Sequence, residues 1–165
     1  MLGIDTTPFK PGLYEITLEP SPEEVGLDAE VFSDIVVEAR LDHQEERTLV
    51  AFTAKADATL ECDRTAVMFE QPVEGTYAIL FVLPERFGGF DDESDDDIRP
   101  LPPAGADLDI TDAVRDTLLL ALPIRRVAPG AEDEPIPVTF GAILDDEGNA
   151  VDPRWEALRK LRDNL

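Results

Sequence analysis

The sequence holds one cysteine, one histidine and one tryptophan, and lysine supplies only three (Lys10, Lys55, Lys160) of its 14 basic residues. Cys62 alone excludes an intrachain disulfide and any zinc cluster of the Cys-x-x-Cys type. The longest apolar run, residues 77–83, is far short of the roughly 20 residues that cross a bilayer. Residues 1–10 carry Asp5 and no apolar stretch, so a secretory signal is not expected and the expected compartment is the cytoplasm. Positive charge is the largest deficit: 37 Asp and Glu stand against 14 Lys and Arg, a net charge of −23. That balance excludes a generic basic nucleic-acid binder, whose affinity comes from many Lys and Arg contacts to phosphate.

What is present argues for one folded domain spanning 1–165. The length suits a single core, and 43% hydrophobic residues supply burial that an acidic disordered chain lacks. An acidic surface with few lysines fits a salt-loaded cytoplasm, where the Debye length falls to about 3 Å at 1 M and like charges are screened. The composition is therefore read as halophilic; an acidic protein that binds a basic partner is the other reading.

Residues 49–62 alternate strictly. Val50, Phe52, Ala54, Ala56, Ala58, Leu60 and Cys62 share one side, and Thr53, Lys55, Asp57, Thr59 and Glu61 the other, as in a strand with one wet face. The small alanines leave room for another element to approach closely. Ile35, Val37, Ala39 and Leu41 form a second strand, joined to the first as an antiparallel hairpin through residues 42–47. Residues 13–18 and 67–73 are shorter strand candidates. Glu74-Gly75 is read as punctuation before 76–83, an apolar run expected to be buried on both faces. Ser21-Pro22-Glu23-Glu24 predicts a short helix ending near Gly26.

From residue 84 to 106 periodicity stops, and 86–106 and 128–137 are read as flexible loops. Ile110, Ala113, Val114, Leu118, Ala121 and Leu122 form a helical stripe, capped by Asp109 and stopped by Pro123. Leu119 and Leu120 lie off it, which predicts a helix buried on more than one side. Residues 138–144 are a further strand candidate. Residues 152–161 open on Asp152-Pro153 and predict a short C-terminal helix docked by Trp155. The expected class is α+β: a mostly antiparallel sheet with one long helix, about 110–122, packed on it and a short C-terminal helix.

No catalytic constellation emerges. His43 reads as a surface-turn residue, and Cys62, on the apolar side of its strand, as a buried thiol. The acidic runs 91–97 and 145–152 lack the ligand spacing of a calcium loop and read as solvated loops rather than metal sites; no phosphate-binding glycine loop follows a strand. No cofactor is expected. The cations Arg154, Arg159, Lys160 and Arg162 cluster around Trp155, a small basic and aromatic group of the kind that contacts RNA.

Three motifs in order carry a resemblance: Leu60-Glu61-Cys62-Asp63-Arg64-Thr65, Leu120-Ala121-Leu122-Pro123-Ile124, and Asp152-Pro153-Arg154-Trp155-Glu156-Ala157-Leu158-Arg159-Lys160-Leu161. Together they resemble the YceD family, a bacterial and plastid domain family linked to accumulation of 23S ribosomal RNA. The resemblance covers the chain from about Ser33 onward. Where the family has Cys-x-Arg-Cys, this chain keeps Cys62 and Arg64 but has Thr65 in place of the second cysteine, and residues 125–152 contain none of the cysteines that many members carry there. The resemblance implies a non-enzymatic role in large-subunit biogenesis, through ribosomal RNA or a basic ribosomal protein, with no membrane association. The residues it points to for binding are Cys62, Arg64, Arg125, Arg126, Asp152, Arg154, Trp155, Arg159 and Lys160. An acidic chaperone or adaptor for a basic protein is the alternative.

Overall fold

The computed structural model describes residues 1–87, 97–103 and 105–133. Its framework is a five-stranded sheet in the order β2-β3-β4-β5-β6: β2 (Gly12–Leu18), β3 (Phe32–His43), β4 (Arg47–Glu61), β5 (Met68–Val82) and β6 (Ile98–Pro100). The first four strands pair antiparallel and β6 joins β5 in parallel. A separate two-stranded ribbon pairs β1 (Gly3–Ile4) with β7 (Leu108–Asp109), which leads into the helix α2 (Thr111–Leu120). A single helical turn, α1 (Pro84–Phe87), follows β5.

The alternation in β4 is realised residue by residue. Its even positions from Thr48 to Leu60 are all buried and its odd positions face outward. β3 contributes Ile35, Val37, Ala39 and Leu41 to the same face, after a register shift between Ser33 and Val36 that puts Asp34 at φ 50°. α2 and a 3-10 helix, Pro22–Val25, lie over this inner face. The short helix forms as its sequence requires. Glu24 N–H donates to Ser21 Oγ, Ser21 N–H donates back to Glu24 Oε2 (2.8 Å), and Gly26 ends the turn at φ 70°. The core comprises the inner face, Leu108, Ile110, Val114 and Leu118; each fully buried leucine or isoleucine in it contributes about 1.5–3 kcal/mol. The outer face is solvated and carries the ion pairs Arg40–Glu15 and Lys55–Glu38.

The expected α+β class is corrected: the described chain is mostly β, with one helix of ten residues rather than a long helix over about 110–122. Ile110 matched the helical stripe because it is fully buried, yet it is the residue that precedes the helix rather than part of it: its N–H donates to Leu2 O beyond the β1–β7 ribbon, and only its carbonyl joins the helix, accepting from Val114 N–H. The helix starts one residue later, where Asp109 Oδ1 accepts from both Thr111 N–H (2.9 Å) and Thr111 Oγ1 (2.5 Å). It ends at Leu120, after which the chain tightens through a Leu122 N–H to Leu119 O bond ahead of Pro123. The expected C-terminal helix (152–161) and strand (138–144) lie outside the described residues.

Further readings change. Glu74-Gly75 is no turn: β5 runs through it without interruption, and the two strands expected on either side are one. In the run 76–83, Thr76 and Ala78 are exposed, because the outer face of the sheet is open. Leu119 and Leu120 are exposed, so α2 buries one side only among the described residues. Within the stretch read as a loop, Ile98–Pro100 forms β6, held by Leu80 N–H to Asp97 O and Leu101 N–H to Val82 O.

Candidate interaction site

The residues of the Cys62 motif sit where β4 turns into β5. Cys62 is the last inward position of the alternation and is buried. Its backbone closes the turn: Cys62 N–H donates to Val67 O and Ala66 N–H donates to Cys62 O, both at 2.9 Å, with Ala66 at φ 55°. This tight turn aims several N–H groups inward at the sulfur.

A strand of chain from far along the sequence is tied to this turn. Asp63 N–H donates to Arg126 O (2.8 Å), Arg126 N–H donates to Asp63 Oδ2 (2.8 Å), and Ala128 N–H donates to Cys62 Sγ (3.3 Å). The Ala128 N–H is the largest influence on the thiol. Together with the Thr65 side chain and the N–H groups of Arg64 and Thr65, it brings the Cys62 pKa down to about 7 against the opposing effect of burial. The buried thiol expected from the sequence is thus buried in a polar cradle, and it organises the loop that follows α2.

That loop presents Arg125 and Arg126 to solvent. Among the described residues neither guanidinium has an ion-pair partner, whereas Arg40, Lys55 and Arg115 are each paired with carboxylates. Arg64 is half-buried in the turn itself. The fold therefore gathers Cys62, Arg64, Arg125 and Arg126 around one hairpin end. The other expected binding residues, Asp152, Arg154, Trp155, Arg159 and Lys160, lie outside the described residues. Sequence reasoning missed Asp63 and Ala128, which tie the loop to the hairpin; contacts at separations of 63 and 66 residues leave no trace in local pattern.

His43 lies elsewhere. It is half-buried at the end of β3, with Nδ1 2.9 Å from Thr48 Oγ1, and lines a cavity of about 600 Å³ with Leu83, Leu101 and Leu108. The Thr48 hydroxyl belongs to a fully buried side chain, closed to a substrate. No group of three or more His, Cys, Asp or Glu side chains among the described residues is placed to hold a metal ion, and no helix among them is long and apolar enough to cross a membrane.

A family profile described as large ribosomal RNA subunit accumulation protein YceD matches residues 50–162. The chain belongs to the YceD family. The match begins inside β4 and takes in the Cys62 hairpin, β5, β6, α2 and the Arg125-Arg126 loop, while β1, β2 and β3 precede it. The YceD region thus holds both halves of the hairpin-and-loop assembly, including all four described residues that the motif resemblance singled out. Comparisons with curated proteins and with solved structures gave no match.

Proposed function

We propose that this YceD-family chain is a non-enzymatic factor in accumulation of large-subunit ribosomal RNA, acting by a local contact with that RNA through Arg125 and Arg126. The family match carries the reading, since the description of the family names ribosomal RNA accumulation. The geometry supports where the contact is made. In a chain of net charge −23, affinity for phosphate must come from a spot where cations are exposed and not already neutralised. Arg125 and Arg126 meet both conditions among the described residues, and the Asp63 and Cys62 hydrogen bonds hold their backbone in a fixed position. A site on a rigid support loses less conformational entropy on binding than a free loop.

The test is co-sedimentation of the protein with large-subunit precursors in its native salt, with and without Arg125→Glu and Arg126→Glu. Association that depends on the two arginines, together with reduced 23S RNA on depletion, is the expected result. Normal RNA levels and no ribosomal association would overturn the proposal.

A second reading rests on the carboxylate excess itself: an acidic chaperone or adaptor for a basic ribosomal protein. Recovery of a basic protein whose binding ignores the arginine substitutions, with no RNA, would favour it.

A further inference from the structure

The cavity beside His43 plays no part in the Cys62 assembly. Leu83, Leu101, Pro102, Pro103 and Leu108 make its apolar walls, and its volume of about 600 Å³ matches small-molecule sites, which run from roughly 300 to 1,000 Å³. The stretches of chain that line it are anchored. Gln44 N–H donates to Arg47 O (2.9 Å) and Leu83 N–H donates to Glu46 O (3.2 Å), which ties the β3–β4 turn to the end of β5. Leu101 N–H donates to Val82 O (2.6 Å), and Ala106 N–H donates to Pro103 O (3.0 Å) in a turn that holds Gly105 at φ 87°. Leu108 is paired with Ile4 across the β1–β7 ribbon. A cavity framed this way exists before any ligand arrives, so little ordering opposes binding.

Its polar groups set the kind of ligand. Glu45, on the tied turn, is the only charged side chain of the lining, and it has no hydrogen-bond or ion-pair partner among the described residues. No lysine or arginine lines the cavity. His43 adds no positive charge. The Thr48 side chain is fully buried, and His43 Nδ1 is the one acceptor for its hydroxyl among the described residues; Nδ1 therefore accepts, and the ring proton sits on Nε2. The lining thus combines apolar walls with one carboxylate and no cation.

We propose that this cavity binds a small organic ammonium ion, an amine on an aryl or branched-alkyl body. The ammonium sits on Glu45 and the apolar body lies against the leucines and prolines. A ligand anion would meet the Glu45 carboxylate with no cation in the lining to offset it. A neutral apolar molecule would fill the walls but cover the carboxylate without pairing it. Because Glu45 is exposed, its ion pair contributes modestly and mainly sets the sign of the ligand, while burial of the apolar body supplies most of the affinity. The site is separate from Arg125 and Arg126, and the inference does not rest on the RNA reading.

The test uses three probes with one apolar body: 4-phenylbutylamine, 4-phenylbutanol and 4-phenylbutyrate. Each is titrated into nitrogen-15-labelled full-length protein in about 1 M KCl, where the Debye length of about 3 Å removes long-range attraction of cations to the acidic surface. The amine is expected to give saturable amide shifts centred on His43, Glu45, Leu101, Ala106 and Leu108. The alcohol should bind more weakly and the carboxylate more weakly still. Glu45→Gln should weaken the amine about 3- to 5-fold, to the level of the alcohol, whereas Glu23→Gln, on the 3-10 helix, should change nothing. The same spectra report whether each variant is folded. Shifts scattered over the acidic surface, equal affinity for amine and carboxylate, or an amine affinity indifferent to Glu45→Gln would each overturn the proposal, as would the absence of saturable binding.

Discussion

Gly75 of β5 lies directly beneath Thr117 of α2. A β-carbon built on the glycine would stand 2.6 Å from Thr117 Cγ2 and 3.1 Å from the Thr117 carbonyl oxygen. Gly75 pairs with Ala54 of β4, itself fully buried, so a glycine and an alanine sit side by side on the inner face where the helix rests. Within the helix, Thr117 Oγ1–H donates to Ala113 O (2.7 Å), which fixes the threonine rotamer with its methyl toward the sheet.

Gly75→Ala is therefore expected to destabilise the fold. Overpacking costs about 1–3 kcal/mol, offset by about 0.5–1 kcal/mol because alanine loses less backbone entropy in a strand. Urea unfolding of the single variant, of Thr117→Ser and of the pair should show part of the loss recovered in the double variant, since serine removes the clashing methyl but not the carbonyl. Full additivity would mean that the helix does not rest on this glycine.

Thr48→Val tests the polar contact inside the core. Thr48 is fully buried and its hydroxyl meets His43 Nδ1 at 2.9 Å. Removing the hydroxyl should cost about 0.5–1.5 kcal/mol, with the half-exposed imidazole free to recover a water partner. An unchanged denaturation midpoint would show that the contact contributes nothing net.

The Cys62 cradle makes stability depend on pH. The folded thiol ionises near 7, against 9.0 for a free cysteine, because Ala128, Thr65 and Arg64 donate to the sulfur. A folded pKa below the unfolded one gives stabilisation that is full above about pH 9 and is lost as the pH falls through 7. The melting temperature of the wild type relative to Cys62→Ser should accordingly climb between pH 6.5 and 9. Thr65→Val should raise the thiol pKa, read as thiolate absorbance at 240 nm; a flat difference across that range would remove the cradle's role.

If Arg125 and Arg126 each contact a phosphate of single-stranded ribosomal RNA, replacing both by alanine should flatten the log–log dependence of affinity on salt by about 1.4. Substitution of the paired Arg40, on the outer sheet face, should leave the slope alone. Equal slopes in both variants would assign the contact elsewhere.

The excess of carboxylates should make the native state salt-dependent. Thermal unfolding in increasing KCl is expected to shift upward into the molar range as self-repulsion is screened. A midpoint that ignores salt would contradict the halophilic reading of the composition.

Sequence alone determined what depends on near neighbours. The period-two run of β4, the β3–β4 hairpin, the capped turn at Ser21 and the burial of Cys62 follow from alternation and local hydrogen bonding, and the three ordered motifs were enough to indicate the family. Only the tertiary structure decided the rest. Ile110 looks helical in sequence because burial, not conformation, sets the apolar pattern, and a hydrogen bond from its N–H to Leu2 O takes it out of the helical ladder. Gly75 looks like a break because glycine serves both turns and close approaches, and only the helix lying above it decides which. Leu119 and Leu120 signal a second buried side that the described fold leaves open. The Arg125-Arg126 loop acquires its place from Asp63 and Cys62, more than 60 residues back in the chain, and a contact across that distance exists only once the sheet has formed.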